Sequence, residues 1–327
     1  MADNLLDKAS ILLTPTAYDN GSMLSIKPTN GDGDFTFSRN GDASRVNSSG
    51  NIVIEGANLP RINYENGCGS SLFEPQSTNI YLNSEILSTQ NNTTLASTYT
   101  VSFYGTGTIT FSGTHTGSLV GTSLTDRVSA TFTATAGTLT STVTGTVTKA
   151  QLEQQSYATS YIPTSGASST RLQDLATDSG NASLINSTEG VLYAEIAALE
   201  NSGESIRAIS LGVNGDNNQT ITIRFRNQNN SIGLFMKPLS PNNLNLSTEA
   251  FNILNFNKIA LKYKSGEIAL WINGTEVITS TNTLNIVGLN KLDFNSLGSN
   301  NFFGKTKAIA VWKEALSDSE LQSLTTI

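Results

Sequence analysis

The chain has 327 residues, enough for two or three domains, and only 14% of them are charged against about 25% in a typical globular chain; Ser, Thr, Asn and Gly fill the difference. Its 19 basic and 26 acidic residues leave a net charge of -7 with no basic run, so a phosphate backbone would be repelled and no nucleic-acid partner is expected. One cysteine, Cys68, and one histidine, His115, exclude an internal disulfide and a multi-histidine or Cys/His metal site, and no apolar run approaches the roughly 18 residues that span a bilayer.

The opening MADNLLDKASILL carries acids where a secretory signal needs positive charge, so export by that route is not expected. From Ile11 to about Glu85, turn residues such as NGDGD (30–34) and NSSGN (47–51) interrupt short segments, which predicts brief strands at Phe35–Ser38 and Ile52–Glu55 between ordered loops. From Thr98 to about Tyr161 the composition turns to Thr and Val in alternation, as in TYTVSFYG and RVSATFTATAG. Alternation sends successive side chains to opposite faces, and β-branched residues suit a pleated surface. Val128, Ala130, Phe132 and Ala134 therefore form a core face, with Ser129, Thr131 and Thr133 wet. Turn signals every eight to twelve residues or so indicate an antiparallel sandwich rather than a parallel sheet with crossover helices.

SYIPTSGASSTR (160–171) is rich in small residues and contains Pro163, which reads as a linker and sets a boundary near residue 172. Strands return as GVLYAEIAAL, TITIRFRN, SIGLFMK and the meander IALKYKSGEIALWINGTEVITS, whose Ser265-Gly266 and Asn273-Gly274 supply the positive φ that two-residue hairpins require. In that meander Ile259, Leu261 and Tyr263, with Ile268, Leu270 and Ile272, are assigned to an inter-sheet core, which sends Trp271 to the opposite face. Near the end, ALSDSELQSL carries a capping box between Ser317 and Glu320 and predicts a short helix against the sandwich.

The stretch DFTFSRNGDASRVNSSGNIVIEGANLPRINYENGCGSSLFEPQSTNIYLNSE (34–85) resembles an N-terminal module of bacteriophage virion proteins through Arg45-Val46-Asn47, Pro60-Arg61 and Glu74-Pro75-Gln76 in order, departing from it at Asn40-Gly41-Asp42. Gln151-Leu152-Glu153 and Thr159-Ser160-Tyr161-Ile162-Pro163-Thr164 make the middle segment similar to the β-sandwich that follows this module in phage tail and fiber proteins. The hairpin KYKSGEIALWINGTEV and the closing AVWKEALSDSELQSL resemble concanavalin A-like, laminin-G-like jelly rolls. The resemblance implies an all-β protein: an N-terminal attachment module over 1–85, a carbohydrate-binding-module-like spacer over 86–172, and a jelly roll with a short C-terminal helix over 173–327. It further implies a non-enzymatic fiber or spike on the exterior of a virion, commonly a homotrimer, that meets other virion proteins through the N-terminal module and a host-surface glycan or receptor through the jelly roll. A polysaccharide depolymerase and a cellular adhesin or lectin stay open as alternatives.

Few residues offer chemistry. The Glu-x-Asp-x-x-Glu row by which glycosidases of the jelly-roll type resemble one another is missing, and Asp318 and Glu320 are explained by the capping box. His115 lies in SGTHTGS, far from any nucleophile elbow, and no catalytic residue is assigned. Asn30, Asp32 and Asp34 imitate a calcium loop but have Phe35 at its glycine position and Gly41 at its terminal glutamate position, so a turn is expected. Calcium is left open with no residue assigned, and no other cofactor is expected. Trp271 is the one ligand-binding candidate: its ring could stack on a sugar, while packing on a neighbouring strand or subunit is the favoured alternative.

Overall fold

A computed structural model describes residues 5–15, 18–19, 21–65, 67–201, 205–239 and 242–327. Among these residues the only α-helix is Asp318–Thr325, and the remaining regular structure is antiparallel sheet apart from a 3-10 turn at Leu5–Lys8. The expected all-β class with a short C-terminal helix is the observed one.

Two packed sheets dominate. The larger, of eight strands, runs in the order Thr275–Ser280, Ile268–Ile272, Asn257–Lys264, Glu189–Ala198, Gly304–Trp312, Cys68–Phe73 and Ile62–Glu65, with Ile11–Leu13 also paired to Gly304–Trp312. The smaller, of five, runs Leu244–Thr248, Ile232–Lys237, Asp216–Phe225, Arg207–Val213 and Lys291–Asp293. Their facing rows include Ile259, Leu261, Tyr263, Ile268, Leu270 and Ile272 from the one and Ile209, Leu211, Ile221, Ile223 and Leu234 from the other, all in one core. The hairpin at Asn273-Gly274 has φ of 50° and 82°, the two positive values that keep the turn's twist in step with its strands.

A second sandwich sits in the middle of the chain. Gln90–Thr94, Gly137–Thr144, Thr108–Gly113 and Gly117–Val120 form one sheet, and Ser123–Ala134, Ser97–Gly105 and Val147–Glu153 the other. Its separate core gathers Tyr99, Val101, Phe103, Ile109, Leu139 and Leu152, while Val128, Ala130 and Phe132 pack against it from the strand face assigned above.

Packing divides the chain differently from the sequence boundaries. Residues 1–85 have no core of their own among the described residues: Ile11, Leu13, Met23, Phe35, Phe37 and Phe73 enter the jelly-roll core, and Phe73 stacks on Phe294 at 4.5 Å. Phe35–Ser38 also pairs with Leu175–Thr177. Periodicity finds strands but not their partners, and these short ones find theirs beyond residue 172. The segment 160–171 is likewise no free linker: Tyr161, Ile162 and Arg171 are buried, and Ser169–Arg171 pairs with Ser77–Asn79.

Candidate functional site

Arg61, Glu74 and Ser160, three of the residues that carry the resemblance, meet in one buried ionic cluster. Arg61 donates to Glu74 at 2.7 Å, to the Ser160 hydroxyl at 2.7 Å, to the Ser44 carbonyl at 2.8 Å, and through Nη2 to Asp174. Arg39 reaches the other oxygen of Asp174 at 3.1 Å, and Arg171 lies 3.6 Å from Glu74 and 3.9 Å from Asp174. A buried charge is tolerated only when it is paired and its remaining hydrogen-bonding positions are filled. Here the partners come from the N-terminal segment (Arg39, Ser44, Arg61, Glu74), from the stretch read as a linker (Ser160, Arg171) and from the start of the jelly roll (Asp174), so satisfying them fixes the three against one another.

Alongside, Glu153 accepts from Ser77, Gln151, Gln155 and both the hydroxyl and amide of Thr159. Asn79 donates to the carbonyls of Ala150 and Ile162 at 2.9 Å each. The motif positions are therefore joints between parts of the fold.

Burial alone would raise the Glu74 carboxyl, but Arg171 and Arg61, with the Ser160 hydroxyl and amide, hold it down to about 2. A folded value below the ordinary 4.5 means stability present above pH 4.5 and lost as pH falls toward 2. The loss is expected to reach about 3 kcal/mol, seen as a falling melting temperature over that window that is shallower in Glu74→Gln.

A cleft of about 270 Å³ opens beside this cluster, lined among others by Arg45, Tyr104, Arg127, Tyr157 and Lys305. Its cations are already held: Arg45 by Glu55 at 2.6 Å, Lys305 by Glu65 at 2.7 Å, and Arg127 by the Thr159 carbonyl and the Ser102 hydroxyl, both at 2.6 Å. Such a cleft spends its charge on the fold.

The outer face of the five-stranded sheet is different. Alternation that sends Ile221, Ile223 and Phe225 into the inter-sheet core sends Thr220, Thr222 and Arg224 to the other face, where Thr220 and Thr222 are buried and Arg224 is 7% exposed, with the half-buried Arg226 following on the same side. Phe235 lies opposite Thr222 on one side and Asn245 on the other. The Arg224 guanidinium sits 4.7 Å above the Phe235 ring and donates to Asn245 at 2.5 Å, and Arg226 donates to Ser247 at 2.6 Å. TITIRFRN reads as a strand from its alternation, which by itself marks the apolar parity and not the polar one. Two arginines on the outward positions of one strand were the available signal.

Trp271 is not on an open surface. It does leave the inter-sheet core, as its parity requires, but it is 7% exposed and packs with Val191, Tyr193, Trp312, Leu316 and Leu321 in a second core on the outer face of the large sheet. The C-terminal helix that the capping box starts brings Leu321 into that core, so the ring packs on neighbouring elements of its own chain, the alternative favoured for it above. His115 stacks on Phe132 at 4.1 Å, and Asp34 accepts from the amide and hydroxyl of Ser25, as a turn residue does. Among the described residues no group of three or more His, Cys, Asp or Glu comes together in a way that could hold a metal.

Fold and surface together define an all-β protein of two sandwiches, the larger carrying an arginine-lined sheet face. No family model and no curated protein matches the chain. Among solved structures it is similar to the CBM40 of the Ruminococcus gnavus IT-sialidase bound to alpha2,3 sialyllactose, at 19% identity and a TM-score of 0.39 over 45% of this chain and 86% of that one. A leech intramolecular trans-sialidase matches at 20% identity and 0.36 over 43% of this chain and 24% of that one. The binding domain of botulinum neurotoxin serotype G matches at 12% and 0.36 over 46% and 42%.

Proposed function

We propose that this chain is a non-enzymatic structural protein of a bacteriophage particle, a fiber or spike on head or tail whose jelly roll meets a glycan on the host surface. The observation that carries the reading is the convergence of the resembling motifs, Arg61, Glu74, Glu153 and Thr159–Ile162, on buried joints. A signature spent on joining segments belongs to a rigid body that displays a surface. The depth of the jelly-roll core, built from both ends of the chain, supports the same reading. In this proposal residues 1–85 also meet other virion proteins, and three copies assemble around an axis.

The test is mass spectrometry of purified particles, in which the chain is expected at a stoichiometry that is a multiple of three. Absence from particles overturns the proposal. Release of reducing sugar from host capsule by the purified chain would replace it with a depolymerase.

A further inference from the structure

Arg224 and Arg226 stand two residues apart on the outward side of one strand, and neither meets a carboxylate among the described residues. Of the other arginines, Arg39, Arg45, Arg61, Arg171 and Arg207 each have an acidic partner within 4 Å, and Arg127 has both terminal nitrogens on neutral acceptors, the Thr159 carbonyl and the Ser102 hydroxyl. Two uncompensated cations side by side stand out because the protein as a whole is acidic, at -7. Lys237, outward on the neighbouring strand, adds a third cation, and the remaining charged pair on the face, Lys291 with Asp293 at 2.8 Å, neutralises itself.

The two guanidiniums are also held in place. Phe235 supports the plane of Arg224, and Asn245 takes one of its terminal nitrogens, Nη2. The stem of Arg226 passes over Gly233, where an added Cβ would meet the Leu246 carbonyl at 2.5 Å, the Ser247 Cβ at 3.0 Å and the arginine Cδ at 3.3 Å, and its guanidinium reaches Ser247. Among the described residues each side chain keeps a second terminal nitrogen, Nη1 of Arg224 and Nη2 of Arg226, without an acceptor, and the buried Nε of each has none either. Burial, and then the neighbouring Arg226, push the Arg224 guanidinium down to about 10, so it stays charged at neutral pH while the pair remains uncompensated. Two fixed planar forks with free N–H groups match the paired oxygens of a carboxylate, and the hydroxyls and amides around them suit the hydroxyls of a sugar.

We infer that the outer face of the five-stranded sheet binds an acidic polysaccharide, the carboxylate of one sugar unit seated between Arg224 and Arg226. This deepens the proposed function and rests on its reading of the jelly roll as the glycan-facing part.

The test uses the full chain in titration calorimetry against carboxylate polymers (polygalacturonate, alginate, hyaluronate and polysialic acid), a sulfated polymer (dextran sulfate) and neutral dextran. At least one carboxylate polymer is expected to bind, more weakly as salt rises, with dextran inert. Arg226→Gln, at a half-buried position, is expected to weaken that binding about 10–100-fold with its melting temperature unchanged, and Arg226→Lys to recover part of it. Failure of every carboxylate polymer, capture of dextran sulfate alone, or equal binding by Arg226→Gln would each overturn the inference. Presence of the chain in particles is read independently, so a virion protein that binds only neutral sugar would sink this inference and leave the proposed function standing.

Discussion

Asp174→Asn is expected to lower stability by about 3–5 kcal/mol, a large share of the about 5–15 kcal/mol that holds a domain together. The substitution keeps the shape and removes one charge. Its side chain is wholly buried, accepts from Arg39, Arg61 and the Glu74 amide, and lies within 4 Å of Arg171. With Asn in its place Arg39 would have no carboxylate among the described residues, Arg61 and Arg171 would share that of Glu74, and an amide N–H₂ would have to avoid donors on several sides. The cost comes from the charges left behind more than from the bond removed. Replacing Arg61 and Asp174 together by Met and Leu is therefore expected to be less damaging than Asp174→Asn alone. Urea melts of the single and double variants measure both, and an Asp174→Asn protein as stable as the parent would show that the cluster does not hold the joint.

How much of this could be read beforehand differs by level. Strand positions were legible where turn residues bracket a short β-branched or alternating run, because both signals are local: Phe35–Ser38, Ile52–Glu55 and the meander from 257 to 280 lie where the pattern puts them. The helix start at Ser317 was legible because a capping box is complete within four residues, and Ser317 and Glu320 do bond reciprocally. Pairing over long separations was not. Ile11–Leu13 joins Gly304–Trp312 about three hundred residues away, a choice that nothing in three apolar residues announces. The same limit governs the sites. Trp271 was correctly sent off the inter-sheet core by parity, but whether that outer face is wet depends on where the helix docks. Arg61 and Glu74 stand in recognisable motifs and their partner Asp174 does not, because in sequence a buried charge looks like any other charge until its neighbours are known.

Removing residues 173–327 is expected to unfold the N-terminal segment while leaving the middle sandwich intact. The six side chains Ile11, Leu13, Met23, Phe35, Phe37 and Phe73 are buried in the jelly-roll core, and the truncation would return them to water. At about 1.5–3 kcal/mol for each buried apolar side chain the loss is roughly 9–18 kcal/mol, comparable to or greater than the about 5–15 kcal/mol of an entire domain. Backbone pairing goes with it, since Ile11–Leu13 and Cys68–Phe73 lose Gly304–Trp312, and Phe35–Ser38 loses Leu175–Thr177. Asp174 leaves as well, so Arg39 and Arg61 lose their shared partner. The middle sandwich keeps its separate core around Tyr99, Val101, Phe103 and Leu139 and has no such dependence. Hydrogen exchange on a chain ending at residue 172 is thus expected to show protected amides across 97–153 and none at 11–13 or 35–38. Protection of the latter in the truncated chain would mean that the first 85 residues hold a core of their own, and a truncation could then serve to separate attachment from display. Without it, the two roles must be separated by substitutions that leave the joint whole.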